Sequence, residues 1–274
     1  PFGVGVYLVA QLARRTVKVA LSGDGGDELL AGYTTNAADK LHQWLRPVPG
    51  PLCGLANALV QQLPDNRAKV GALFKLKQFL ACARRNPCDA HASWRMLFGD
   101  TGLKDVLVGD AWEADFDPYT PFRAAYHAVP ELTPLDRMLY VDYKTWLASD
   151  ILVKVDRASM ARGLEVRSPF LDHRLVEFCA GLPPHLKLRG FRGKHLLRKV
   201  AQGRVPNRVI RRKKAGFNAP VAHWISGPWR DLVHDTLRGP NAPAILQPNT
   251  IERLLNEHNS GQRDHGFRLF ALLM

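Results

Sequence analysis

The sequence predicts a mixed α/β chain in which most residues are helical. Residues 17–21 form a short apolar run rich in β-branched side chains, which is typical of a strand in a buried parallel sheet. This run ends at a loop that contains three glycines, residues 22–27. Most of the remaining segments place apolar residues at helical spacing. We therefore expect a small α/β part within a largely helical chain.

The first elements follow from periodicity and from the positions of proline. Residues 6–14 repeat at helical spacing before the strand, and residues 28–33 are expected to begin a helix after the loop. Three prolines exclude a regular helix over residues 46–51. We expect a boundary there between the C-terminal part of an α/β core, residues 1–45, and a largely helical remainder, residues 46–274.

The remainder contains several further predicted helices. Asp150 and Asp172 are suited to cap two of them, because a carboxylate accepts hydrogen bonds from free N–H groups of the first turn. Four prolines leave residues 110–134 with short helices at most. The predicted helices are 52–63, 70–85, 134–149, 151–163, 174–180 and 194–202.

Composition excludes a membrane span and a disulfide framework. The chain has 274 residues and is 46% hydrophobic, but no apolar run reaches the roughly 18 residues that a span needs. Its four cysteines, Cys53, Cys82, Cys88 and Cys179, form no Cys-x-x-Cys pair and are expected to be reduced and buried. The sequence thus predicts a cytoplasmic protein.

The formal net charge of +13 indicates a basic surface, and basic residues crowd into residues 204–214. Three interpretations are open: a nucleic-acid patch, a counter-charge for a polyphosphate substrate, or a solvated helix face. Phe217 is the only aromatic residue near this run in the sequence that could stack on a base. Nucleic acid is therefore disfavoured as a partner.

The glycine-rich loop after residues 17–21 carries the strongest chemical signal. Ligands of open α/β folds bind past the carboxyl ends of strands, and glycines let backbone N–H groups approach an anion. Asp24 and Asp27 would repel a bare phosphate, but they suit a site where Mg²⁺ lies between carboxylate and phosphate. The loop predicts a Mg-nucleotide or pyrophosphate site. The alternative is that both aspartates are turn or cap residues.

Five blocks of the sequence resemble the synthetase domain of glutamine-hydrolysing asparagine synthetases. Residues 22–33, Ser-Gly-Asp-Gly-Gly-Asp-Glu-Leu followed by Gly-Tyr, are similar to the second signature of that domain. The other blocks are residues 150–161, 164–172, 193–198 and 212–217. Five blocks in the family's order are far more specific than a lone glycine loop. The resemblance implies a doubly wound α/β domain of the PP-loop type, of which this chain holds a mostly helical part.

The resemblance also implies roles for individual residues. Asp24 stands where the family often has Glu, and it is expected near the reacting acyl centre, while Asp27 is expected to bind Mg²⁺. Lys194 follows a glycine and is expected to contact phosphates, although it could instead be a solvated lysine on a helix. The residues expected to bind ATP are Ser22, Gly23, Gly25 and Lys213.

Glu165 and Arg167 are candidates for substrate binding. In an extended segment, residues at i and i+2 face the same side, so the two could together recognise an amino acid such as aspartate. The alternative is a structural salt bridge that pins the turn at Pro169, with Asp172 completing it.

Taken whole, the resemblance implies a protein that activates an aspartate carboxylate with ATP and Mg²⁺ and amidates it with ammonia from glutamine. The family's first phosphate signature, Ser-Gly-Gly-x-Asp-Ser, and its N-terminal glutaminase are missing here, so this fragment alone is expected to lack complete activity. A homodimer is left open. The alternatives are an amidotransferase that acts on another carboxylate acceptor in surface-polymer biosynthesis and a basic nucleic-acid-binding protein.

Overall fold

A computed structural model describes residues 2–63, 71–109, 116–212, 219–240 and 242–274. These ranges are mostly helical. The helices of the first half are α1 (Phe2–Ala13), α2 (Gly26–Leu29), α3 (Thr34–Leu45), α4 (Gly50–Gln61), α5 (Ala72–Ala81), α6 (Pro87–Ser93), α7 (Asp100–Val106), α8 (Thr120–His127) and α9 (Pro134–Asp142).

The second half begins with a π-helical stretch, Tyr143–Ile151, that continues α9 directly into α10. A 3₁₀ turn, Pro169–Leu171, follows the second strand. The remaining helices are α10 (Leu152–Met160), α11 (His173–Ala180), α12 (Pro184–Lys187), α13 (His195–Val200), α14 (Asn207–Arg211), α15 (Val221–Ser226), α16 (Arg230–Arg238), α17 (Pro248–Ser260) and α18 (Gly266–Leu273). Every helix in the described ranges is too short or too polar to cross a membrane.

Two short strands pair in parallel and fix the position of the glycine loop. β1 (Val19–Leu21) lies beside β2 (Glu165–Arg167), and Ala20 is opposite Val166 in the register. The predicted parallel strand is confirmed, but its predicted burial is wrong: the side chains of Val19 and Leu21 are 39% and 74% exposed. Within the described ranges β2 is the only strand beside β1, and the face toward which these two residues point is partly open to solvent. The division into residues 1–45 and 46–274 stays a prediction.

Two predicted helix boundaries are wrong. Asp150 does not cap a new helix, because the backbone runs through it in π-helical form and its carboxylate pairs with Lys154 at 3.5 Å. After the glycine loop, α2 already ends at Leu29, and Ala31 adopts a left-handed φ of 53° before α3 begins. The predicted cap at Asp172 is confirmed, since its side chain accepts from the N–H of Arg174.

Three clusters of buried apolar side chains form the core of the described ranges. The first is C-terminal and joins α7 with α15 to α18. The second lies beneath the glycine loop and is built on Leu29, Leu30 and Cys179, with Leu197 of α13 packed against it. The third consists of Ala31, Leu139 and Leu188. Two of the three clusters therefore support the loop and the start of α13.

The predicted state of the cysteines is confirmed. Cys53, Cys82, Cys88 and Cys179 are all buried thiols. Burial raises the pKa of Cys88 to about 11, so this thiol stays protonated and behaves as a small apolar side chain.

Candidate functional site

The carboxyl ends of β1 and β2 bring two serines together at one edge of the sheet. The N–H of Ser22 donates to the carbonyl of Arg167 at 2.8 Å, and the hydroxyl oxygens of Ser22 and Ser168 lie 3.4 Å apart. The Ser22 hydroxyl also donates to the Asp24 carboxylate, while the N–H of Asp24 donates back to Ser22 Oγ at 3.1 Å. Asp24 is thereby held at the strand ends, where ligands of parallel sheets bind.

The glycine loop is packed on one side and open on the other. Gly25 has a φ of 86°, and a Cβ there would overlap Leu171, so only glycine fits. A Cβ at Gly23 would meet nothing within 4 Å. The 3₁₀ turn after β2 therefore packs against the loop at Gly25, while Gly23 faces free space that a ligand could fill.

Asp27 and Lys194 join the glycine loop to the start of α13. Lys194 Nζ lies 2.9 Å from Asp27 Oδ1, and the two side chains are only 24% and 14% exposed. The N–H of Lys194 donates to the carbonyl of Leu30 at 2.8 Å, with Lys194 held at a left-handed φ of 55°. We call this ion pair, together with the contact to Leu30, the clasp.

Two glycines make the clasp possible by close backbone approach. A Cβ at Gly32 would overlap both Asp27 Oδ1 and Lys194 Cε, and a Cβ at Gly193 would overlap the carbonyl of Ala31. The sequence predicted roles for Asp27 and Lys194 separately. The structure brings the two side chains into one site.

Comparison with known proteins gives the family. The family model for asparagine synthase matches residues 1–274, the whole chain. The chain belongs to the asparagine synthase family. A glutamine-hydrolysing asparagine synthetase of Bacillus subtilis is 27% identical over the whole chain, which covers 42% of that protein. A Mycobacterium bovis protein named provisionally as a glutamine-hydrolysing asparagine synthetase is 31% identical, again over the whole chain and 41% of that protein.

A third relative carries a different kind of name. Amidase chry2 of Gibberella zeae is 23% identical over 87% of this chain and 38% of its own length. The chain thus spans about two fifths of the length of the curated relatives described here.

Glu165 and Arg167 lie on the same side of β2, as the i, i+2 spacing predicts. Arg167 Nε donates to Glu165 Oε1 at 2.7 Å, and both side chains are more than half exposed. The expectation that Asp172 completes this pair is wrong, because Asp172 binds the guanidinium of Arg174 instead, at 2.9 Å. The hydrogen bonds from the Arg174 side chain and backbone lower the pKa of Asp172 to about 2.

Lys213, the remaining residue expected to bind ATP, lies outside the described residues.

The sequence did not reveal a buried pair directly behind the clasp. Glu28 is 2% exposed, and the Tyr33 hydroxyl donates to its carboxylate at 2.5 Å. Burial, outweighing this hydrogen bond, raises the pKa of Glu28 above its ordinary value. The guanidinium of Arg95 lies 4.3 Å from the centre of the Tyr33 ring, which links this pair to a larger set of buried charges.

The larger set is centred on His91 and Asp142, both fully buried. Arg95 donates to both oxygens of Asp142 at 3.1 and 2.7 Å, and His91 Nε2 lies 3.0 Å from Asp142. The other ring nitrogen of His91 lies 2.9 Å from Asp39. Burial alone would lower the pKa of His91, but Asp39 and Asp142 outweigh it and raise the pKa to about 10. We call these residues, with Glu28 and Tyr33, the buried network.

The donor set of the clasp suits a metal that brings its own phosphate ligands. No group of three or more His, Cys, Asp or Glu residues that could hold a metal occurs in the described ranges. Mg²⁺ commonly takes one or two protein carboxylates and fills its remaining positions with water and substrate phosphates. Asp27 can supply such a carboxylate, and the ammonium of Lys194 beside it can neutralise a phosphate oxygen.

Proposed function

We propose that this chain is part of an ATP-dependent asparagine synthetase of the glutamine-hydrolysing type. In this proposal the side-chain carboxylate of aspartate attacks the α-phosphate of ATP, and pyrophosphate leaves. Ammonia derived from glutamine then displaces AMP and forms the amide. The clasp is the observation that carries the proposal, because it places a carboxylate and an ammonium beside a glycine loop at the carboxyl edge of parallel strands.

The proposed roles follow from the position of each group. Ser22 and the backbone of Gly23 and Gly25 would bind ATP on the open side of the loop. Asp27 would hold Mg²⁺, which when bound supplies positive charge to the phosphates. Lys194 would stabilise negative charge that develops on the departing pyrophosphate, and this kind of stabilisation is often the largest contribution of a site.

Asp24 and the exposed pair on β2 complete the proposed site. Asp24 is tethered by Ser22 at the strand end and would lie near the carboxylate that is being activated. Glu165 and Arg167 would contact the charged groups of the amino acid, and their mutual ion pair leaves both oriented to one side. Lys213 is proposed to contact phosphate because of the family resemblance alone.

The proposal is tested in the protein that carries this chain together with the segments its relatives have. Aspartate-dependent release of pyrophosphate from ATP, with ammonia supplied, is measured for the Asp27→Asn and Lys194→Ala variants. We expect both to lose about 10²-fold or more of kcat, as when one charge-stabilising group is removed from an active site.

The Arg238–Glu252 pair provides a matched control, because it has the same 2.9 Å separation but joins α16 to α17 away from the loop. Glu252→Gln should therefore leave the rate nearly unchanged. Full activity in Asp27→Asn or Lys194→Ala would contradict the proposed site.

A second candidate is an amidotransferase of the same chemistry with another carboxylate acceptor. The amidase name of one relative favours keeping it. The same assay decides: pyrophosphate release that no aspartate stimulates, but that another carboxylic acid does, would move the proposal to that acceptor.

A further inference from the structure

The net charge of this chain is confined to one segment. Residues 178–230 contain 13 Lys and Arg residues and no Asp or Glu, while the rest of the chain holds 25 of each sign. The excess of +13 therefore belongs entirely to about a fifth of the sequence. Such a charge distribution favours an anionic partner over a merely solvated surface.

Most of the cations in the described part of this segment lack the carboxylate partners that several arginines have elsewhere. Arg95, Arg123 and Arg174 each bind an aspartate at 2.6–2.9 Å. Among the described residues of segment 178–230, only Lys187 and Lys194 form an ion pair, with Asp136 and Asp27. The other described lysines and arginines of the segment have no ion pair with a described carboxylate, and Arg198 binds backbone carbonyls instead.

Eight residues of this segment, four of them Lys or Arg, line a concave pocket of about 250 Å³ between α13 and α14. Its described lining includes Arg192, His195, Arg198, Lys199 and Arg211, and no carboxylate. Three of them, at positions 195, 198 and 199, share one face of α13 by helical spacing. We call this concavity the basic pocket.

Arg198 holds the basic pocket together. Its Nε donates to the carbonyl of Gly193 at 3.1 Å, and its Nη1 donates to the carbonyl of Ile210, so α13 is tied to α14. Burial and the charges of Lys199, Arg189 and their neighbours lower the pKa of His195, as a field of like charges would. The pocket is thus built from side chains that repel one another in the absence of an anion.

We propose that the basic pocket is a second binding site, separate from the clasp, for a small molecule with several phosphate oxygens. Lys194 is not part of its lining, and its ammonium already lies on Asp27. Guanidinium groups bind phosphate oxygens two at a time, and Arg192 and Arg211 approach the pocket from different elements.

The shape of the site favours a small ligand over nucleic acid. The cations converge on a concavity rather than following an extended groove. The exposed aromatic pair nearby, Trp44 and Phe191, packs edge to face on itself at 5.4 Å, and Lys40 lies 5.7–5.8 Å from both rings. Their mutual packing makes these rings poor platforms for unstacked bases.

The test is calorimetric titration of the chain with inorganic pyrophosphate in the absence of Mg²⁺. We expect saturable binding that weakens about tenfold or more in the double variant Arg192→Gln/Arg211→Gln. Arg204→Gln/Arg208→Gln is the matched control, because it removes the same charge from the same segment outside the pocket lining. Its affinity should stay within about twofold of the wild type.

Each other outcome would overturn the proposal. If both double variants weaken pyrophosphate binding equally, the cations attract the anion without forming a defined site. Loss of pyrophosphate binding in Lys194→Met would place the anion at the clasp. A 20-nucleotide single-stranded RNA that binds more tightly than pyrophosphate and displaces it would make the surface a nucleic-acid interface. Absence of binding at millimolar pyrophosphate would remove the site altogether. None of these results depends on the ligase reaction, so they leave the proposed function untouched.

Discussion

At the scale of single residues, Gly32 is the position over which both side chains of the clasp pass. The Asp27 carboxylate and the Lys194 side chain both pass directly over its Cα. A single added methyl group at this position would therefore overlap both side chains and break the clasp. The sequence shows a glycine before Tyr33 but not this requirement, because the lysine that crosses it lies more than 150 positions away. Steric exclusion at Gly32 therefore reports on the clasp more directly than removal of either charge.

We predict that Gly32→Ala breaks the clasp while leaving most of the fold intact. The new Cβ would displace the Asp27 carboxylate and the Lys194 stem, so Mg-nucleotide affinity should fall about tenfold or more, as for a lost charge-assisted contact. Gly54→Ala is the control: its Cβ meets nothing within 4 Å in the middle of α4, and it should raise helix stability slightly. Equal nucleotide affinity in the two variants, measured by equilibrium binding, would show that the clasp does not contribute.

At the scale of elements, the buried network connects four helices to the glycine loop. Asp39 belongs to α3, His91 to α6 and Asp142 to the end of α9, while Glu28 lies in α2. Because His91 is held between two carboxylates, its positive charge balances the network together with that of Arg95. An unpaired buried carboxylate would be strongly destabilising, so the three helices depend on one another through this residue.

The network gives stability a predicted dependence on pH. The folded pKa of His91, about 10, lies above the ordinary histidine value, so its stabilisation is complete below about pH 6.5 and is lost as the pH rises toward 10. We predict that the free energy of unfolding, from denaturant titration, falls between pH 7 and pH 10 in wild type. The difference between wild type and His91→Asn should shrink over that window by roughly 3–4 kcal/mol.

His42 supplies the control for this profile. It is also buried and lies on α3, but burial lowers its pKa, so its titration falls below pH 6.5. His42→Asn should follow the wild-type fall above pH 7. If His91→Asn instead runs parallel to wild type, His91 is not protonated in the folded protein.

The elements also show what a sequence can and cannot predict. The helix from residues 6 to 14, the parallel strand and the cap at Asp172 follow from local periodicity and local hydrogen bonds, and the structure confirms them. The π-helical stretch through Asp150 does not follow from local patterns, since it depends on one extra residue in a turn that no side-chain pattern marks. The buried network was missed because its members sit on different helices, and periodicity says nothing about which faces meet.

At the scale of the whole molecule, the site and the C-terminal helices rest on different cores. The clusters beneath the glycine loop contain Leu29, Leu30, Ala31 and Leu139, whereas the C-terminal cluster contains none of these. In the described ranges the three clusters share no buried residue. Parts of a protein that bury separate cores can open separately, with different free energies.

We predict that core truncations act regionally, and amide hydrogen exchange can show this. Leu139→Ala and Leu269→Ala remove the same atoms from sites 6% and 0% exposed, and each should cost about 2–5 kcal/mol. Leu139→Ala should speed exchange in α2 and α13 and weaken nucleotide binding. Leu269→Ala should speed exchange in α15 to α18 and leave nucleotide binding nearly unchanged. If both variants accelerate exchange equally throughout, the two cores form one cooperative unit, and the clasp then depends on the C-terminal helices as much as on the strands that carry it.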